Sequence, residues 1–323
     1  MATAEQIKAL IRSHLSMNAE QFYASALQIA AHEARQGHDA LAHEIKTMVD
    51  HAKSRPAPTN VIAFPQELSG LILTEQPARP LVSLVVDDAL KARIERVILE
   101  FRQQAKLKKH GLAHRRKLLL SGEPGTGKTM TAQVLATELK HPLHIIQMDR
   151  LVTKFMGETG AKLRQIFERM RAMPGVYLFD EFDAIGGERG LGNDVGEMRR
   201  VLNAFLQFIE NDASDNLIIA ATNNPRLLDR ALFRRFDDVL HYTLPDGESR
   251  QRLIANLLGT FKGPQFPIEK AANAGQGLSH SEIDRACRDA IKLAILENKS
   301  RVTFALFKAL LKERHAAYEG KER

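Results

Sequence analysis

The chain has 323 residues, 44% of them hydrophobic, and a formal net charge of +7. That length accommodates two or three units with cores of their own, and the composition excludes a disordered chain. One cysteine, Cys287, excludes a disulfide framework, and no apolar run approaches the roughly 20 residues of a membrane span, so a cytoplasmic protein is expected.

Residues 1–53 read as three short amphipathic helices. Thr3 and Gln6 make a capping box ahead of Ile7, Leu10, Ile11 and Leu15. Asn18 and Gln21 repeat that signal before Phe22, Ala26, Ile29 and Ala30, and Gly37 closes the pattern. Asp39 then caps a helix carrying Leu41, Ile45, Met48 and Val49. A small bundle of this kind suits the recruitment of a partner or substrate. His32-Glu33 and His43-Glu44 do not extend to H-E-x-x-H and read as surface pairs. Residues 54–80 hold five of the twelve prolines, which disfavours helix and predicts a tether between domains.

Across residues 81–246 apolar strands alternate with helices, the pattern of a mostly parallel sheet covered on both faces. The strands are expected at Leu118–Leu120, His144–Met148, Val176–Phe179, Leu217–Ala221 and Val239–Tyr242. Between the first strand and the helix that follows it stands Gly122-Glu123-Pro124-Gly125-Thr126-Gly127-Lys128-Thr129, then Met130. Its glycines let successive N–H groups converge on one anion, and the helix adds its positive end. Lys128 suits the β- and γ-phosphates of a nucleoside triphosphate, and the Thr129 hydroxyl suits Mg²⁺. The strand Val176–Phe179 ends in Asp180 and Glu181. The first can join the Mg²⁺ shell and the second can polarise an attacking water. Asn223, at the end of the next strand, is expected beside Glu181, orienting the same water. The densest basic stretch, Lys106, Lys108, Lys109, Arg115, Arg116 and Lys117, would serve nucleic acid, but charge alone is a weak guide and nucleic acid is disfavoured.

Downstream runs Ala231-Leu232-Phe233-Arg234-Arg235-Phe236-Asp237. With the phosphate loop, the acid pair and Ala221-Thr222-Asn223, this arginine pair resembles the AAA ATPases in order and spacing, over roughly residues 81–312. The segment resembles most the branch of spastin, katanin and the vacuolar-sorting disassembly ATPase. The resemblance implies a P-loop NTPase fold binding ATP and Mg²⁺, with Arg234 and Arg235 as fingers that reach a neighbouring subunit's nucleotide. It therefore implies a homo-oligomer, a hexameric ring. It further implies that Lys154, Phe155, Met156 and Gly157 form a pore loop gripping polypeptide, with a second glycine-rich loop at 186–192. The remaining reading for the arginines is a salt bridge to Asp237 or Asp238.

Residues 247–323 show helical periodicity throughout, and the resemblance implies a small all-α lid that closes over the adenine. Gly277-Leu278-Ser279-His280-Ser281-Glu282 aligns with the family's nucleotide-sensing turn, with His280 and Ser281 where glycine and alanine are usual. The expected protein is an α/β P-loop NTPase (81–246) with an all-α lid (247–323), a helical bundle (1–53) and a proline-rich linker (54–80). Its expected work is ATP-driven protein remodelling, with a separate protease or adaptor as a possible partner of the bundle. The rival readings are a nucleic-acid remodeller and a nucleotide-gated scaffold of low turnover.

Overall fold

The computed structural model describes residues 19–54, 68, 70–151, 158–183, 194–225 and 230–319. The chain divides near residue 63 into two units.

In the first unit, helix α1 (Ala19–Arg35) and helix α2 (Asp39–Ser54) pack on one another. Gly37, at a φ of 82°, makes the turn between them, a conformation that glycine adopts without steric cost. Ala26, Ala30, Ala42 and Val49 are buried. Leu41 and Met48 are exposed instead of joining them. Glu33 departs from the surface pair expected of it: it is buried, and its Oε2 meets His38 Nδ1 at 2.7 Å. The helix expected at residues 3–15 lies outside the described residues.

The second unit is built on a six-stranded sheet. Its strands are β1 (Ile72–Glu75), β2 (Lys117–Gly122), β3 (Leu143–Gln147), β4 (Val176–Asp180), β5 (Leu217–Thr222) and β6 (Asp238–Tyr242), in the spatial order β1-β3-β4-β5-β2-β6. The five strands read from the sequence all run parallel, and β1 joins the edge antiparallel to β3. Part of the expected tether is therefore sheet, and Leu68, Leu71 and Ile72 belong to the core beside it.

Side chains alternate across a strand, so each central strand serves two cores. On one face Leu119, Tyr177, Phe179 and Ile218 pack with residues of helices α7 (Glu158–Met170) and α8 (Asp194–Asn211), among them Phe167 and Phe205. On the other, Leu118, Leu120, Leu178 and Ile219 pack with Ile94 and Val97 of α3 (Asp88–Arg102) and Val134 and Leu135 of α5 (Lys128–Leu139). Of the short helices, α4 (Gln104–Lys109) follows α3, α6 (Met148–Leu151) puts Met148 and Leu151 into the first of these cores, and α9 (Arg230–Phe233) precedes β6.

Four helices follow β6: α10 (Gly247–Leu258), α11 (Ile268–Ala274), α12 (His280–Leu296) and α13 (Phe304–Glu319). They enclose a third core containing Leu253, Ile254, Ala286, Cys287, Phe307 and Leu311. Cys287 is plain core, and burial pushes its thiol up to about 12. The buried Arg250 guanidinium donates to the Ala272 carbonyl at 2.8 Å and the Pro245 carbonyl at 2.6 Å, tying α10 to α11 and to the chain entering it. Residues 84–86 straddle two cores: Leu84 and Val86 face the sheet layer, and Val85 lies among the lid residues.

Three of the six side chains of the expected basic patch are ion-paired. Lys108 pairs with Asp215, Arg115 with Glu100, and Arg116 with the buried Asp212. Among the described residues no helix is long and apolar enough to cross a membrane.

A methyl group on Gly122 would strike the Tyr242 backbone carbonyl of β6. Gly122→Ala is expected to lower unfolding free energy by about 1–3 kcal/mol through this overpacking. The check is a shift of the urea midpoint at constant m-value.

Candidate nucleotide site

In a parallel sheet the carboxyl ends of neighbouring strands form one rim, and ligands collect there. Here the central strands β2, β4 and β5 end in the phosphate loop, in Asp180 and Glu181, and in Thr222 and Asn223 respectively. Register fixes their levels: Ser121 pairs with Thr222 and Phe179 with Ala220. Four groups expected at the site are thus brought together at one rim.

The loop from Gly122 to Gly127 turns through three glycines at φ values of 154°, 75° and 106° (Gly122, Gly125 and Gly127). Thr126 Oγ1 donates to the Glu123 carbonyl at 2.7 Å and braces the turn. Lys128 opens α5 and is buried, its Nζ donating to the Gly122 and Glu123 carbonyls at 2.8 Å each. Burial pulls its pKa down to about 8, against the opposing attraction of Asp180, Asp183 and Glu123. Among the described residues the bonded partners of this buried ammonium are loop carbonyls, which matches it to an incoming anion. Met130 lies one residue beyond Thr129 and packs against the core under α5.

Thr129 Oγ1 donates to Asp180 Oδ2 at 3.1 Å, so the two expected Mg²⁺ ligands are adjacent. Among the described residues no cluster of three or more His, Cys, Asp or Glu side chains could cage a metal ion. One carboxylate and one hydroxyl fit an ion that takes its other ligands from phosphate and water, as Mg²⁺ does.

Glu181 is exposed and sits at a φ of 53°, a left-handed conformation uncommon for a side chain of this kind. Its N–H donates to Asp180 Oδ1 at 3.0 Å. Partial burial and the neighbouring carboxylates of Asp149, Asp180 and Asp183 raise its pKa, which makes it the stronger base. Asp183 was not foreseen. Its Oδ1 accepts from Thr222 Oγ1 at 3.3 Å and from the Asn223 N–H at 3.1 Å, lashing the end of β5 to the turn after β4. The signal was present as a third acid, two residues past Glu181.

Arg234 and Arg235 are exposed, on the turn between α9 and β6. The alternative partners expected for them are taken. Asp238 pairs with Arg93, and Asp237 Oδ2 accepts from the N–H groups of Arg116 and Lys117 at 2.9 Å each. Arg235 instead meets Glu210 of α8. Asp237 N–H also donates to the Lys117 carbonyl at 2.8 Å, which puts this turn at the amino end of β2. The phosphate loop is at the other end. The pore-loop residues Lys154, Phe155, Met156 and Gly157, and the loop at 186–192, lie outside the described residues.

The lid reaches the loop directly. Ser281 N–H donates to the Gly125 carbonyl at 3.0 Å, and the hydroxyls of Ser279 and Ser281 crowd the space where a Gly125 side chain would stand.

Residues 118–244 match the ATPase family associated with various cellular activities (AAA). Over its whole length the chain is 33% identical to an uncharacterized AAA family ATPase, y4kL, of Sinorhizobium fredii, and it covers 98% of that protein. The chain belongs to the AAA ATPase family. Membership brings nucleotide binding and ATP hydrolysis with it. Two further relatives are a putative 26S proteasome regulatory subunit homolog of Methanothermobacter thermautotrophicus and the ATP-dependent zinc metalloprotease FtsH 4 of Sphaerobacter thermophilus. The first is 35% identical over 64% of this chain and 57% of its own length. The second is 31% identical over 75% of this chain and 38% of its own length.

The depressed Lys128 pKa makes a signed prediction for the nucleotide-free AAA protein. Between about pH 8 and the ordinary lysine value of 10.5 the unfolded chain holds the proton that the folded chain has released. Stability contributed through this residue therefore rises with pH across that window, by at most about 3 kcal/mol, and the penalty is complete below pH 8. Comparing denaturant midpoints of the wild type and Lys128→Met at pH 7.5 and pH 10 checks this: the variant should lack that part of the rise.

Proposed function

We propose that this AAA ATPase is a Mg²⁺-dependent protein-remodelling motor, working as a subunit of an oligomeric ring, hexameric by family habit. In this reading it draws polypeptide through a central pore. The observation that carries the oligomer is the position of Arg234 and Arg235. Strand β2 separates them from their own phosphate loop by about 16 Å at 3.3 Å per residue, too far for an arginine side chain. As fingers they act on a neighbour's nucleotide, where a guanidinium entering a dry site accelerates phosphoryl transfer by about 10³–10⁵.

Within one subunit, loop N–H groups and Lys128 hold the phosphates, and Glu181 and Asn223 orient and polarise the attacking water. Thr129 and Asp180 would hold Mg²⁺, which would neutralise charge on the phosphate oxygens. Phe155, on the segment Lys154-Phe155-Met156-Gly157, supplies an apolar grip that needs no particular sequence in its substrate. Relatives named as a proteasome regulatory subunit homolog and as an ATP-dependent protease support work on proteins. This chain has no H-E-x-x-H, so proteolysis would fall to a separate partner, with the bundle of residues 1–53 as its docking or recruiting module. The likeness of residues 231–237 to spastin and katanin is a reading of that segment, and a disassembly role stands beside unfolding on that ground. The pairing of Lys108, Arg115 and Arg116 with acids halves the basic stretch and supports protein over nucleic acid as substrate.

Glu181→Gln is expected to retain ATP binding and lose at least about 100-fold in turnover, trapping the ring on its client. Proteins recovered with that variant and absent from the Glu181→Gln, Phe155→Ala double variant would support threading. Recovery of nucleic acid independent of Phe155 would overturn it. Separately, mixing Lys128→Ala subunits with Arg234→Ala, Arg235→Ala subunits should restore part of the ATPase activity that each lacks alone. No restoration at any ratio would count against fingers supplied in trans.

A further inference from the structure

Arg234 and Arg235 are exposed, but the residues on either side of them are pinned. Leu232 and Phe236 are buried in the core on the α7–α8 face of the sheet. Asp238 pairs with Arg93 of α3, whose guanidinium also donates to the Val239 carbonyl at 2.8 Å. Between these anchors stands Asp237. Its carboxylate accepts the N–H groups of two successive residues, Arg116 and Lys117, at 2.9 Å each, and its own N–H donates to the Lys117 carbonyl at 2.8 Å. Arg116 is held in turn, because its guanidinium bonds both the carboxylate and the carbonyl of Asp212, just past the end of α8.

The sheet does not need this carboxylate clamp. Strand β6 is registered on β2 by five residue pairs, from Leu118 with Asp238 to Gly122 with Tyr242. The clamp lies one residue outside that ladder, on the side of the arginines. Asp237 is exposed, so its side chain fills no core either. What it fixes is the point from which the arginine turn leaves the sheet, two residues after Arg235. Placement matters for a group that stabilises transition-state charge: an error of about 1 Å can cost about 100-fold in rate. An arginine side chain is long, so a small tilt of its backbone moves the guanidinium by that much. Fixed groups standing behind a reacting side chain hold it within such limits.

We propose that Asp237 is the positioning residue of the arginine fingers: its carboxylate clamps their turn to the amino end of β2 and sets where Arg234 and Arg235 stand against a neighbour's nucleotide. The proposal rests on the reading of those arginines as fingers supplied in trans. Asp237 therefore matters in the subunit that gives the fingers and not in the subunit whose ATP is hydrolysed.

The test mixes full-length subunits in pairs and reads steady-state ATP hydrolysis. Receiving subunits carry Arg234→Ala with Arg235→Ala and keep the phosphate loop; giving subunits carry Lys128→Ala and keep the arginines. Adding Asp237→Ala to the giving subunit should cut the restored activity about tenfold or more, and adding it to the receiving subunit should leave that activity unchanged. Asp237→Asn in the giving subunit should recover most of the loss, since its amide oxygen accepts the same two N–H groups. Undiminished restoration by the Asp237→Ala giver would overturn the proposal. So would equal losses from the two placements, because a general weakening of the fold does not distinguish giver from receiver, and so would an Asp237→Asn giver as poor as the alanine one. Givers with native Asp237 that restore nothing would overturn the fingers themselves, and the proposal with them.

Discussion

The second unit depends on the terms on which Lys128 is buried. An ammonium removed from water and bonded to two carbonyls of its own loop is poorly compensated. The remaining compensation is electrostatic and comes from Asp180 at the end of β4, from Asp183 just after it and from Glu123 of the loop. The first two arrive only if β4 lies at its observed place in the sheet, and β4 holds that place because both of its faces are packed. Tyr177 and Phe179 fill one core and Leu178 the other. The continuous apolar runs of the strands and the polar chemistry at their ends are thus one design. The cores fix strand ends to within a register step, and the register brings a cation, a hydroxyl and a carboxylate to the same rim.

That rim is connected sideways by bonds that do not touch phosphate. Asp183 holds the Asn223 backbone, Tyr242 reaches Thr131 on α5, and the lid reaches Gly125 through Ser281. The first joins β5 to the turn after β4; the other two join β6 and α12 to the loop or its helix. A change at the loop is consequently felt by β6 and α12 at once. Such a layout suits an ATPase whose output is movement of its parts, since several elements share a single contact point.

The phosphate loop, the acid pair and the five parallel strands were legible in the sequence because each is a local pattern with one physical cause: glycines for the turn, apolar runs for strands buried on both faces, acids at their ends. The edge strand was not. Ile72–Glu75 has four residues, lies among prolines and leaves Leu73 exposed, so neither a period of two nor a long apolar run marks it. Its identity comes from pairing with Leu143–Ile146, a contact that no local window contains. The same holds for Glu33, whose burial depends on how the chain turns back at Gly37, and for Arg235, whose partner Glu210 lies 25 positions earlier in the numbering. Asp183 was legible in kind but not in role, because its partners arrive from another strand.

The segment 84–86 carries a mechanical consequence. Three consecutive residues point alternately into the sheet layer and into the lid, so this stretch works as a stitch sewn through both. A lid swinging away from the sheet would have to pull Val85 out of its own core or drag Leu84 and Val86 out of theirs. Small rotations are absorbed by side-chain rearrangement, but large ones expose apolar surface on one side or the other. The angle between the C-terminal helices and the sheet is therefore set by two cores sharing one short length of chain.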